Sequence, residues 1–179
     1  RVTNATLERF VGIARDKYGV SNNPQFGAFD KAKGTDALFA RIDWQLNSKN
    51  LLTIRNNMVI ENDALSEGDN SGINFYESYI DRKKFDNSLM ASLRTTLNPR
   101  VTNEVKVQHF YEDVQVLPSS ELPAAGIPRA IVENVESVAG TATYLNSIQI
   151  GGQRFSPEWF KGTVLQAVDN LYYNTGKIN

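Results

Sequence analysis

The stretch DALFARIDWQLNSKNLLTIRNN, residues 36–57, decides the fold class of this chain. Its even positions from Leu38 to Leu46 are apolar, whereas the odd positions between them carry mostly charged or amide side chains. A period of two is typical of a β-strand with one apolar and one polar face. The segment Asn47-Ser48-Lys49-Asn50 is a tight-turn signal, after which the alternation resumes. The stretch therefore predicts a β-hairpin with strands near residues 36–47 and 50–62.

The same pattern returns farther along the chain. Residues 87–98 and 102–112 alternate in the same way on either side of the short turn Asn98-Pro99-Arg100, which predicts a second hairpin. An aromatic run at residues 159–173 predicts a fifth strand. Both parities of that run mix apolar and polar residues, and a β-bulge would shift its register, so the sequence leaves its facing open.

A short amphipathic helix is predicted at residues 5–18, ahead of the strands. Asn4 stands where a helix cap belongs, and Gly19 follows as a stop signal. The apolar residues at helical spacing are Leu7, Phe10, Val11, Ala14 and Tyr18. We expect this stripe to pack against a neighbouring surface. Residues 1–35 are accordingly assigned to a loop with this helix, and residues 36–179 to the β-rich part.

The links between the predicted strands differ in length. The two turns are short, whereas residues 62–86 and 113–157 form long connections, and the second carries four of the six prolines. We expect both connections to be loops. Short links on one side and long links on the other are typical of outer-membrane barrels, which have short periplasmic turns and long extracellular loops. The pattern predicts an all-β fold. A segment of an antiparallel transmembrane β-barrel fits the pattern, and alternation alone does not separate it from a soluble β-sandwich or small barrel.

In that interpretation the aromatic residues form girdles and the polar face lines a wet lumen. Trp44, Tyr172 and Tyr173 would lie near the short turns, and Tyr111 at the opposite rim. The charged residues of the polar face are Arg41, Asp43, Arg55, Glu61, Arg94, Glu104 and Lys106. Among these, the candidate ligand contacts are Arg41, Asp43, Arg55 and Arg94. Ion pairing between adjacent strands is the favoured role for pairs such as Arg41 with Asp43 or Glu104 with Lys106.

Neither the composition nor the motifs of the chain indicate an enzyme. The chain has no Cys, which excludes disulfides, thiolate metal sites and a cysteine nucleophile. Its net charge of −1 carries no basic face, so nucleic acid is not an expected partner. Sequences such as HExxH, GxSxG or a Walker loop are absent, and we expect no catalytic residue, no cofactor and no metal site.

Two features invite a chemical role, and for each the structural role is favoured. His109 shares the parity of Val105 and Val107, which predicts a rim or girdle residue rather than a base or a metal ligand. Asp63, Glu67 and Asp69 occupy a Gly-containing connection, but the order of an EF-hand loop is missing, so a solvated loop is expected.

A soluble β-sandwich would produce the same alternation, because its apolar face packs in a protein core. In that alternative the chain is a ligand-binding module. Its aromatic residues Trp159, Phe160, Tyr172 and Tyr173 would grip a ligand such as a carbohydrate.

Longer stretches carry a more specific resemblance. Residues 36–57 are similar to the first hairpins of TonB-dependent receptor barrels of the Bacteroidota type, and SLMASLRTTLNPRVTNEVKVQHF resembles the next hairpin. The runs SSELPAAGIPRAIVENV, GGQRFSPEWF and VLQAVDNLYYNTGKIN resemble the Oar-like branch of that family. Together these stretches cover most of the chain from residue 36 onward.

The resemblance implies a location in the outer membrane of a Gram-negative bacterium. It implies uptake of a bulky nutrient, such as a siderophore, glycan or peptide, with the TonB machinery and the membrane lipid as partners. Nothing in the chain resembles a plug domain or a TonB box, and five strands close no barrel of about 22. The expected partners therefore include the remaining strands and the plug of the same receptor. A scaffold subunit that does not transport is the third alternative.

Overall fold

The computed structural model describes residues 2–20, 24–66, 72–118, 129–139 and 141–176. It is mostly antiparallel β-sheet with one short helix near the N-terminus, and strands make up 66% of it, which confirms the all-β class. In chain order the elements are α1 (Asn4–Tyr18), β1 (Lys33–Asn47), β2 (Asn50–Asp63), β3 (Ile73–Asn74), a 3-10 turn (Tyr76–Ser78), β4 (Ile80–Asn98), β5 (Val101–Pro118), β6 (Ala130–Ala139), β7 (Ala142–Ile150) and β8 (Glu158–Tyr173).

Five long strands form one open sheet in the order β1-β2-β4-β5-β8. These strands include all five that the alternation predicts. β4 begins seven residues earlier and β5 ends six residues later than predicted. Charged residues such as Lys83 and Asp113 interrupt the apolar parity in these extensions, so a search for alternation does not find them. The described sheet does not close into a barrel.

The two short turns are held by the same side-chain device. The Asn47 Oδ1 atom accepts hydrogen bonds from the backbone N–H groups of Lys49 (2.9 Å) and Asn50 (3.0 Å). Asn98 does the same for Arg100 (2.9 Å) and Val101 (3.1 Å). An asparagine side chain that mimics a backbone turn in this way favours a tight reversal. The sequence therefore specifies both hairpins locally.

The chain divides into two compact units. Unit 1 comprises residues 1–34, 61–83 and 115–159, and unit 2 comprises residues 35–60, 84–114 and 160–179. Unit 2 contains most of the five-stranded sheet and both short turns, whereas the two long connections belong to unit 1.

The prediction that the long connections are loops is wrong, as the structure of unit 1 shows. They contain a second sheet of three strands in the order β3-β7-β6, in which β6 and β7 form an antiparallel hairpin and β3 pairs with β7 in parallel. The ladder shifts register between Val132 and Val135, and Asn134 there adopts a positive φ of 59°. A bulge breaks the period of two, and for that reason the alternation pattern misses β6.

A small hydrophobic core holds unit 1 together. α1 contributes its buried residues, β6 and β7 contribute three more, and the remaining two are Val20 after the helix and Phe75 before the 3-10 turn. Phe75 and Ile148 are fully buried. The core residues are Leu7, Val11, Ala14, Val20, Phe75, Val135, Ile148 and Ile150. This packing is the role expected for the helical stripe. Tyr18 departs from the expectation, because it is 54% exposed at the end of the helix.

The helix cap is one residue earlier than the sequence predicts. Thr3, in an extended conformation, accepts a hydrogen bond on its side-chain oxygen from the Thr6 N–H (3.2 Å), and Asn4 is already helical. At the other end Gly19 has φ 70°, and its backbone N–H bonds back to the last turn, as predicted. Both Thr and Asn are good caps, so local sequence alone does not separate them.

The cap assignment predicts unequal effects for two neighbouring substitutions. Thr3→Ala removes the acceptor for the Thr6 N–H and is expected to lower the free energy of unfolding of unit 1 by about 1 kcal/mol. Asn4→Ala is expected to change it by less than about 0.5 kcal/mol, since Asn4 caps nothing. Urea titration followed by circular dichroism measures both, and a larger loss for Asn4→Ala would contradict the assignment.

Candidate functional site

The polar face of the five-stranded sheet is the candidate site, and it is built by alternation within each strand. Thr53 and Arg55 of β2, Met90 and Ser92 of β4, and Lys106 of β5 project to the same side. They line a cavity of about 330 Å³ within unit 2. The other lining residues are Arg41, Glu104, Gln108, Gln166 and Val168. Sequence parity predicts this grouping for the first four strands of the sheet, because successive side chains of a strand point to opposite faces.

Two ion pairs occupy part of this face, and both were favoured from sequence. The Arg41 guanidinium bonds to Asp43 through two contacts, Nε to Oδ2 at 2.8 Å and Nη2 to Oδ1 at 3.0 Å, and the Thr53 hydroxyl donates to Asp43 Oδ1 at 2.6 Å. Lys106 Nζ lies 2.8 Å from Glu104 Oε2. Each pair lies along one strand, two residues apart, rather than between adjacent strands.

The other two candidate residues differ from these pairs. Arg55 lines the cavity, and Arg94 shares the parity of Met90 and Ser92 on β4. Neither arginine makes a hydrogen bond or ion pair with any residue that the structure describes. Of the four residues proposed from sequence, two are therefore paired with each other and two remain available to another group. Lys106, Ser92 and Gln166 are neighbours of this site that the sequence did not mark as ligand contacts.

The structure resolves the facing of β8, which the sequence left open. Gln166 and Val168 line the polar cavity. Asp169 instead accepts a hydrogen bond from Asn103 Nδ2 at 2.6 Å, and Asn103 lies on the opposite parity of β5. Leu165, Leu171 and Tyr173 therefore share the apolar face. The sequence left the facing of β8 open because apolar residues lie on both of its faces, so alternation does not tell the two faces apart.

This facing corrects the predicted girdle in one position. Tyr173 lies on the same face as Trp44, but Tyr172 points to the polar side, where its hydroxyl donates to Glu104 Oε2 at 3.5 Å. Adjacent residues of a strand cannot both face one side. The same reasoning separates Trp159 from Phe160, so the four aromatic residues of the soluble-module alternative do not form one cluster on a single face of β8.

The opposite face of the sheet is apolar and uncovered. Its large side chains are between 37% and 74% exposed. They are Leu38, Ile42, Trp44, Leu46, Ile54, Leu89, Leu93, Leu97, Val105, Val107, Leu165, Leu171 and Tyr173. An apolar surface that continues across five strands far exceeds the scattered exposed residues of an ordinary soluble surface. Surfaces of this kind are typical of contacts with lipid or with another protein.

His109 and Asp63 each contact other side chains in the structure. His109 Nε2 lies 3.0 Å from the Thr163 hydroxyl oxygen on the apolar face. Asp63 pairs with Lys31 and Lys33, at 4.0 and 3.6 Å, whereas Glu67 and Asp69 lie outside the described residues. Within the described ranges, no group of three or more His, Asp or Glu side chains is arranged to hold a metal ion.

Unit 1 has its own groove, which the sequence did not suggest. It lies between α1 and β6, has a volume of about 630 Å³, and is lined by Phe10, Ile13 and Val132 among others. Arg9 and Glu133 place opposite charges in the same lining. The register shift of β6 falls within it.

Comparisons of the chain with protein-family models, with curated proteins and with solved structures gave no match. No helix in the described part of the chain has both the length and the apolar character needed to cross a bilayer.

Proposed function

We propose that this chain is barrel wall and extracellular-loop structure of an outer-membrane TonB-dependent receptor of the Oar-like kind, which takes up a bulky nutrient. The observation that carries the proposal is the division of the sheet into two faces. One face is apolar and exposed on all five strands, and the other is charged and lines a cavity. A bilayer on one side and a wet lumen on the other satisfy both faces at once.

The connections between the strands support an orientation in which the short turns lie on the periplasmic side. Both turns of the sheet at one end are short and closed by an asparagine side chain. Backbone bonds from Thr96 N–H to Lys49 O and from Asn174 N–H to Arg100 O, each 2.8 Å, join these turns to neighbouring strands. The two long connections leave the opposite ends of the strands and belong to unit 1. Short periplasmic turns and long extracellular connections fit this difference in length.

The sheet edges support the proposal that more strands belong to the functional protein. β1 and β8 stand at the two ends of the strand order, and they are 15 and 16 residues long. Every residue of β1 is exposed. Unpaired backbone groups along such an edge are very unfavourable in hydrocarbon, and a long exposed edge pairs readily with another strand. Further strands and the plug of the same receptor are the partners that the proposal assigns.

The test is made on the native polypeptide, extracted from cell envelopes. We expect an intact mass well above 20.0 kDa, retention in the outer-membrane fraction after a carbonate wash, and release only with detergent. A stable 20.0 kDa protein that remains monomeric in detergent-free buffer would overturn the proposal and favour a soluble module instead.

A further inference from the structure

The middle of the polar face carries one positive charge that no described residue of unit 2 neutralises. The cavity brings together three cations, Arg41, Arg55 and Lys106, whereas only two carboxylates, Asp43 and Glu104, lie among them or bonded to them. Arg41 and Lys106 use these carboxylates, and Arg55 has no partner among the described residues. This local excess contrasts with the net charge of −1 of the whole chain.

Neither carboxylate is free to turn toward Arg55. Asp43 accepts three hydrogen bonds, two from Arg41 and one from the Thr53 hydroxyl. Glu104 is held by Lys106 at 2.8 Å, by the Ser92 hydroxyl at 3.2 Å and by the Tyr172 hydroxyl at 3.5 Å. Bonds to charged groups contribute more than neutral ones, so breaking these sets to reach Arg55 is unfavourable. Arg55 is exposed, so an anionic group of another molecule or segment can reach its guanidinium and pair with it.

The cavity also offers an apolar contact next to this cation. Met90 is partly buried and Val168 is 49% exposed, and both side chains line the cavity with Gln108 and Gln166. Its volume of about 330 Å³ is at the lower end of the range for ligand pockets. A group of that size with an acidic end and a short apolar part would contact both the cation and the apolar side chains of this lining.

We propose that this cavity binds an anionic group, a carboxylate or a phosphate, carried on a ligand with a short apolar part, and that Arg55 pairs with the anion. The inference rests on the proposed function, because it treats the polar face as the lumen wall. It narrows the nutrient class to acidic ligands. Arg94, on the same face, adds a second positive charge without a described partner.

The experiment compares three probes that differ in charge on the purified native polypeptide in detergent. The probes are trifluoroacetyl-leucyl-glutamate amide, the matching phosphoserine peptide and the neutral glutamine peptide, and ¹⁹F NMR titration gives each dissociation constant. We expect an acidic probe to bind roughly tenfold more tightly than the glutamine probe at low salt, as a charge-assisted pair provides. The tighter of the two acidic probes identifies the source as carboxylate or phosphate.

Two variants test whether Arg55 causes the preference for acidic probes. Arg55→Gln is expected to abolish the preference for the acidic probes, whereas Arg100→Gln removes the same charge from the short turn and is expected to keep the preference. Equal binding of all three probes to the unmodified protein, or an unchanged preference in Arg55→Gln, would overturn the inference. Because binding is measured without a bilayer, its failure is independent of whether the apolar face meets lipid.

Discussion

Leu93→Arg is expected to lower the free energy of unfolding of the bilayer-inserted protein by about 2–4 kcal/mol, the cost of an arginine near the middle of a lipid-facing strand. Leu93 lies on the apolar face of β4 and is 37% exposed in this sheet. A guanidinium at that position would displace apolar contact with lipid. Urea titration of the protein refolded into phosphatidylcholine vesicles measures the change.

The neighbouring residue supplies a matched control. Arg94 lies on the polar face, and Arg94→Leu is expected to change stability by less than about 1 kcal/mol. Exchanging the two residues keeps composition and net charge constant, so any loss comes from their facing alone. We expect the exchange to be at least as destabilising as Leu93→Arg. If Leu93→Arg changed the free energy by less than about 0.5 kcal/mol, the apolar face would be in contact with water.

Phe75→Ala is expected to destabilise unit 1 by about 3–5 kcal/mol, which is typical when a fully buried aromatic residue is truncated. Phe75 is 0% exposed, its ring centroid lies 6.1 Å from that of Phe26, and its backbone N–H donates to Gln149 O at 3.1 Å. The core of unit 1 is small, so little else can fill the void.

Native-state hydrogen exchange of the β6 and β7 amides measures this loss directly, because it reports the free energy of opening for that unit. Phe155→Ala is the control, since Phe155 is 43% exposed and its truncation leaves no closed cavity. Equal exchange rates in the two variants would show that the long connections are not held by the core described here.

The accuracy of the sequence predictions depended on how regular each strand is. β1 and β2 alternate cleanly and are joined by a turn that Asn47 closes locally, so residues 36–57 specify this hairpin. β6 contains a register shift at Val132 and Val135 that removes the period of two. The sequence pattern therefore did not predict the pairing of β6 with β7, although short apolar runs lie on both sides of Gly140-Thr141.

The candidate site was predicted in part for a similar reason. Parity placed Arg41, Asp43, Arg55 and Arg94 on one face, which the structure also gives. Parity does not tell which charges satisfy each other, because a pair two residues apart in one strand competes with pairs between strands. The structure shows that Arg41 and Lys106 are used within their own strands and that Arg55 is not. Tyr172 was assigned to the wrong face for lack of a register for β8.

The identity of the medium next to the apolar face is tested most directly by fluorescence quenching along β4. The chain contains no Cys, so a single cysteine at each of residues 89–94 can carry an environment-sensitive fluorophore. With the protein in vesicles, we expect lipids bearing a doxyl quencher to reduce the emission at residues 89, 91 and 93. Aqueous iodide should instead reduce it at residues 90 and 94. Lipid quenching that is absent at every position, or equal on both parities, would contradict a lipid-facing sheet.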